Sequence, residues 1–162
     1  MELKKLYTMQ LELDSKIEKQ HGLKNQDLVE QKILALLVEL GELANETRCF
    51  KFWSVKPASE QRVILEEYVD GVHFLLSIGL TLGYTSDIPR EVGTKTESLT
   101  EQFLSIYELV TLFKEEKQEE PFLVLFATFM ELGAMLGFTW DEVENAYMTK
   151  NKVNHDRQQQ GY

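Results

Sequence analysis

Only three prolines punctuate 162 residues, and Pro57, Pro89 and Pro121 each mark a connection rather than interrupt a strongly apolar pattern. A proline inside a helix removes a hydrogen bond and clashes with the preceding turn, so this placement leaves long stretches free to stay helical. Apolar residues recur there at three- and four-residue spacing, predicting helices over about 2–20, 27–47, 59–83, 97–116, 121–137 and 140–158. Asp27, Ser59, Thr100 and Thr139 stand at or near the expected N-caps, and Gly83 fits a C-terminal stop. No alternating run around Asn-Gly or Asp-Gly marks a β-hairpin. The expectation is one all-α domain spanning 1–162, a bundle of about six helices. Tyr84 to Thr96 is the most loop-like segment and is expected to project from it.

Two acidic pairs sit on consecutive helical patterns. In LLVELGELANE the apolar residues Leu36, Leu37, Leu40, Leu43 and Ala44 keep a helical period that places Glu39 and Glu42 on one face. In ILEEYVDGVHFLL the same spacing pairs Glu67 with Asp70. The connection between them is short enough to make the two helices antiparallel neighbours, so four carboxylates converge. Like charges at ~4 Å repel by roughly 4 kcal/mol at an effective dielectric of ~20, and a cation is the natural remedy. One such pair alone reads as a solvated helix face; two on sequential helices, with apolar neighbours such as Val38, Leu40 and Val69, read as a metal site. Oxygen ligands without cysteine select Mg²⁺, Mn²⁺ or Ca²⁺ over Zn²⁺. A second internal echo links LLVELGELAN at 36–45 with TFMELGAMLG at 128–137.

Charge narrows the partners. Seventeen Lys and Arg stand against 27 Asp and Glu, a net charge of −10, which argues against duplex nucleic acid, whose backbone needs clustered cations. No apolar run reaches the ~18–20 residues of a membrane helix. The N-terminus lacks a signal-peptide core, and the single Cys49 suits a reducing cytoplasm. A phosphorylated small molecule remains possible where metal ions and a local positive island assist. That island is KNKVNHDRQQQGY, in which Lys150, Asn154 and Arg157 form one helical stripe. Basic residues in a last turn also simply complement the helix dipole.

His73 extends the second acidic stripe as Glu67-x-x-Asp70-x-x-His73. The Glu39 helix offers no matching carboxylate-x-x-His, whereas di-iron bundles carry one on each of two helices, so iron ranks below magnesium. A histidine or Phe74 on a core-facing stripe is also compatible with simple packing. Lys51 and Lys56 beside Phe50, Phe52 and Trp53 read equally as phosphate and base contacts or as a helix end packed on the bundle.

Taken together these segments resemble the dimeric, all-α dUTPases, within the all-α nucleoside triphosphate pyrophosphatase superfamily. The resemblance rests on Gln10-x-x-Leu13-Asp14, Glu39-x-x-Glu42, Lys51-Phe52-Trp53, Glu67-x-x-Asp70-x-x-His73-Phe74 and Lys150-Asn151-x-x-Asn154-x-x-Arg157-Gln158-x-x-Gly161-Tyr162. It implies hydrolysis of dUTP to dUMP and pyrophosphate on Mg²⁺ held by Glu39, Glu42, Glu67 and Asp70, with Glu39 orienting the water; dUDP, which would yield dUMP and orthophosphate, is a further candidate. It also implies a uracil pocket of Gln10, His73 and Phe74, phosphate contacts from Lys150, Asn154 and Arg157, and Tyr162 closing over the nucleotide. Asp14 stands where the family pattern has Asn, and Phe52 where a second Trp is more usual. An amide such as Gln10 can present donor and acceptor together, and so can address both the N3–H and a carbonyl of uracil. The helices over 27–47 and 121–137 carry more apolar residues than one stripe requires, which predicts a two-fold homodimer. The alternatives are a related pyrophosphatase for dCTP or a modified nucleotide, and a non-catalytic helical bundle acting through protein partners.

Overall fold

The computed structural model describes residues 2–162 as six α-helices and one short 3₁₀ turn, with no strand among them. The helices are α1 (Leu3–Gln20), α2 (Val29–Thr47), α3 (Gln61–Leu82), α4 (Leu99–Glu116), α5 (Glu119–Met135) and α6 (Trp140–Gln159). The boundaries have local causes. Thr139 and Glu142 form a reciprocal capping box at the start of α6, and Ser98, not Thr100, caps α4 by accepting from the Glu101 N–H. Gly83 ends α3 at φ +77°, a conformation open to a residue without a Cβ. Ser59 is drawn away from capping because its hydroxyl bonds to Glu46, so α3 begins at Gln61. Pro121 lies inside the first turn of α5, where its missing N–H has no helical acceptor to lose.

Cross-helix bonds fix the packing. Glu46 meets Ser59 and Lys32 donates to Thr81 at 2.8 Å, so α2 and α3 run antiparallel over their length. Lys5–Glu144, Lys16 to the His155 carbonyl and Gln20 to the Gln158 carbonyl lay α1 and α6 side by side in the same direction. Asp70–Lys150 brings α6 against α3. The core lies between these helices, with Leu36, Leu40, Tyr68, Leu75, Phe122, Phe126, Phe129 and Tyr147 fully enclosed.

Two expectations change here. The 84–96 segment does not project. Buried Gln102 clasps it, donating to the Thr94 and Thr128 carbonyls at 2.8 and 3.1 Å and accepting from the Thr96 N–H at 2.9 Å. Nor does α5 need a partner chain to cover its apolar surface, because Phe122, Leu125, Phe126, Ala127, Phe129, Met130 and Leu132 are all buried within one chain. By contrast, Leu34 and Val38 on α2 and Leu104 and Leu112 on α4 are among the apolar side chains left at least half exposed.

The 36–45 and 128–137 echo has a structural counterpart. The Tyr107 hydroxyl donates to the Leu37 carbonyl at 3.0 Å and sits over Gly41, while the Tyr68 hydroxyl donates to the Phe129 carbonyl at 3.0 Å and sits over Gly133. The paired positions are 92 residues apart in each case (37 to 129, 41 to 133). No single helix among the described residues is long and apolar enough to cross a membrane.

Candidate active site

Antiparallel packing of α2 on α3 brings the acidic residues together. Glu39, Glu67 and Asp70 each offer an oxygen within 4.8 Å of the others. Glu42 lies beside them, its charge adding to that around Glu39, and it borders a neighbouring surface groove with Asn45, Glu46 and Glu67. Burial, then the charges of Asp70, Glu42 and Glu67, push the Glu39 carboxyl up to about 7. Burial chiefly, then Asp70 and Glu42, raises Glu67. Burial also raises Asp70, although the Lys150 ammonium 2.8 Å away and Arg157 act in the opposite direction. Glu39 Oε2 is buried with no hydrogen-bond partner. A buried carboxylate oxygen left unpaired among other carboxylates is costly, and a hard divalent cation satisfies all of them at once. The donor set therefore fits such an ion.

This charge pattern predicts a pH effect on the metal-free protein. Glu39 binds its proton more tightly folded than unfolded, where its ordinary value is near 4.5. Its contribution to stability is thus full below about 4.5 and lost as pH rises through about 7. His73 acts oppositely: burial lowers it from 6.5 to about 3, so its contribution changes below 6.5. Above pH 6.5 the carboxylates dominate. The melting temperature in EDTA should fall between pH 6.5 and 8, and a divalent cation or Glu39→Gln should remove most of the decline. A flat profile in EDTA would contradict this.

Beside the carboxylates opens a cleft of about 240 Å³ between α1, α2, α3 and α6. Its lining includes Gln10, Asp14, Glu39, Asp70, His73, Phe74, Lys150, Asn154 and Arg157. Glu42 and Glu67 border the neighbouring groove instead, and three candidate substrate contacts, Lys51, Trp53 and Tyr162, also lie outside this cleft. Lys51 and Trp53 occupy the connection after α2, where Phe52, Trp53 and Val55 are 94%, 64% and 104% exposed. Neither lines this cleft. Tyr162 is largely exposed, with its ring under the Arg157 guanidinium at 5.3 Å.

The cleft floor is a polar network. Gln10 is only 3% exposed, and its carbonyl faces both His73 Nδ1 (2.7 Å) and the Tyr147 hydroxyl (2.8 Å). Its amide nitrogen donates to Asp14 Oδ1 at 2.8 Å, and the Ser77 hydroxyl donates to Asp14 Oδ2 at 2.7 Å. Tyr147 stacks on His73 at 4.2 Å. The Gln10 carbonyl is thus fully engaged internally and is not free to receive the uracil N3–H. Sequence reasoning does not single out Tyr147, Ser77 or Lys32. Tyr147 lies three residues before Lys150 and Ser77 four after His73, so extending each stripe by one helical turn reaches both.

An all-helical bundle with an acidic cluster on two antiparallel helices and a polar, cation-bearing cleft beside it is the architecture of an all-α nucleoside triphosphate pyrophosphatase. A family model described as dUTPase matches residues 2–162. The chain belongs to this dUTPase family and is a dUTP diphosphatase. No individual curated protein matches it.

Proposed function

We propose that the chain hydrolyses dUTP to dUMP and pyrophosphate on Mg²⁺, with Mn²⁺ a workable substitute, held by Glu39, Glu42, Glu67 and Asp70. The observation that supports this most is the unpartnered, buried Glu39 Oε2 among converging carboxylates. When bound, the ion neutralises phosphate charge and polarises the bond to be broken. Glu39 orients the attacking water, a role that needs a carboxylate within hydrogen-bond reach of the proton it takes. Lys150, at present bonded to Asp70, turns to the phosphates once that carboxylate is engaged, and Asn154 and Arg157 hold them further along α6. Tyr162 backs Arg157 and closes the phosphate end. The base sits against Gln10, Asp14, His73 and Phe74. At about 240 Å³ the cleft has room for a pyrimidine beside the carboxylates, Lys150, Asn154 and Arg157 that share its lining.

We also propose a two-fold homodimer through the α2–α4 face. Leu34, Val38, Leu104 and Leu112 form the kind of exposed apolar surface that monomers rarely leave open. Val38 adjoins Glu39, so both sites lie near the interface. Lys51 and Trp53, off their own cleft, remain available to a nucleotide held by the partner protomer. Light scattering at micromolar concentration should give twice the chain mass, and a monomer would contradict it. The unpaired Cys49 fits a cytoplasmic setting.

The test of the metal assignment is titration of EDTA-stripped protein with Mg²⁺, Mn²⁺ and Ca²⁺ while pyrophosphate release from dUTP is followed. Activity should be absent without metal and restored best by Mg²⁺ or Mn²⁺. Full turnover in EDTA would remove the carboxylates from the role given them.

A further inference from the structure

We propose that Asp14 is a positioning residue for base selection: by accepting from the Gln10 amide it turns the Gln10 carbonyl toward His73, which holds the His73 proton on Nδ1 and leaves Nε2 to receive the N3–H of uracil. This rests on the dUTP reading of the cleft and adds the residue that sets its selectivity.

Each hydrogen bond in the network constrains the next. Gln10 can be turned either way, and two of its three neighbours accept either orientation, since the Tyr147 hydroxyl and the His73 ring nitrogen can each donate or accept. Asp14 decides between them. Its carboxylate receives the Gln10 amide and the Ser77 hydroxyl, with the Lys32 ammonium 4.0 Å away, and it offers acceptors only. The Gln10 NH₂ must face Asp14, so its carbonyl must face Tyr147 and His73. His73 Nδ1, 2.7 Å from that carbonyl, must then carry the ring proton. The ring is neutral at working pH because burial, with Lys150 nearby, depresses its protonation. Nε2 is consequently a bare acceptor, and it is buried without a partner in a residue that lines the cleft. Uracil offers N–H at N3 and satisfies it. Cytosine has a bare N3, which would set two lone pairs against each other and leave His73 unpaired.

The tautomer can be read without turnover. In H21Q/H155Q protein, labelled with ¹⁵N-histidine, His73 is the sole histidine. Two-bond ¹H–¹⁵N correlation should show one neutral ring protonated at Nδ1, and the Nε2 resonance should move when nonhydrolysable α,β-imido-dUTP is added with Mg²⁺. In the Asp14→Asn variant the side chain at this position both donates and accepts, and so accommodates Gln10 in either orientation. The single tautomer should give way to a mixture, and the preference for dUTP over dCTP should fall about tenfold, chiefly through KM. An Nε2–H or cationic His73 in the parent protein overturns the proposal, as does an Asp14→Asn variant that keeps both the pure Nδ1–H form and full selectivity. Either result leaves dUTP hydrolysis standing, whereas an inactive parent protein would count against the function itself.

Discussion

Asp70→Asn and Glu42→Gln should each lower metal-dependent pyrophosphate release by about 10³-fold or more, equivalent to roughly 4 kcal/mol of transition-state stabilisation. Asp70 belongs to the three carboxylates whose oxygens already converge, and Glu42 adds its like charge to Glu39, one of the three. A neutral amide keeps the shape and removes the charge proposed to hold the ion. Stability and activity should part company at this site. Glu39→Gln should abolish turnover yet raise the melting temperature in EDTA, because it relieves burial and like-charge repulsion together. Asp70→Asn should show no such gain, since it strands the Lys150 ammonium that now pairs with Asp70 at 2.8 Å. Steady-state kinetics with Mg²⁺ and melting in EDTA read the two effects separately. Near-normal activity in either amide variant would release that residue from the metal site.

The second large effect lies in the packing of α3 on α5. A Cβ at Gly133 would lie 2.5 Å from the Tyr68 hydroxyl oxygen, and one at Gly71 would lie 2.6 Å from Phe129 Cζ. Neither ring can retreat. Tyr68 is fully buried, stacked on Phe129 at 4.6 Å and bonded to its carbonyl. Alanine in a helix gains up to about 1 kcal/mol over glycine, but overpacking costs typically ~1–3 kcal/mol. At such short distances the clash wins. Gly71→Ala and Gly133→Ala should each lower the melting temperature by several degrees, at about 2–4 °C per kcal/mol for a chain of this size. Gly71→Ala should also impair catalysis, as it displaces the turn holding Asp70. Gly41, the counterpart of Gly133, provides the control. Its Cβ would meet only the Tyr107 hydroxyl oxygen at 3.4 Å, an ordinary contact, so Gly41→Ala should be neutral or stabilising. Equal melting temperatures for Gly41→Ala and Gly133→Ala would refute this account of the packing.

The all-helical fold is legible in the sequence because each helix announces itself locally, through apolar period and through residues such as Thr139 and Gly83 that start or stop it. The acidic cluster is legible for the same reason: spacing along two helices, plus one short connection, is enough to bring Glu39 to Glu67 and Asp70. What escapes a reading of the sequence depends on long-range pairing. The clasp of 84–96 hangs on Gln102, whose side chain satisfies backbone groups of two distant segments, and a glutamine in a helix gives no sign of this. The burial of α5 depends on which neighbours surround it, and apolar content alone cannot tell a helix enclosed in its own chain from one at a dimer face. The engaged state of Gln10 arises from Tyr147, which lies 137 residues away in sequence. Donor and acceptor capacity can be counted from residue types, but which groups are already paired cannot.

Phosphorus NMR of the products formed by the full chain with dUTP and Mg²⁺ tests most directly whether this cleft splits dUTP between its α- and β-phosphates with the help of the α2–α3 carboxylates. Equal amounts of dUMP and pyrophosphate are expected, with no turnover in EDTA and none above background for Asp70→Asn. Release of orthophosphate with dUDP, or unchanged turnover by Asp70→Asn, would contradict it.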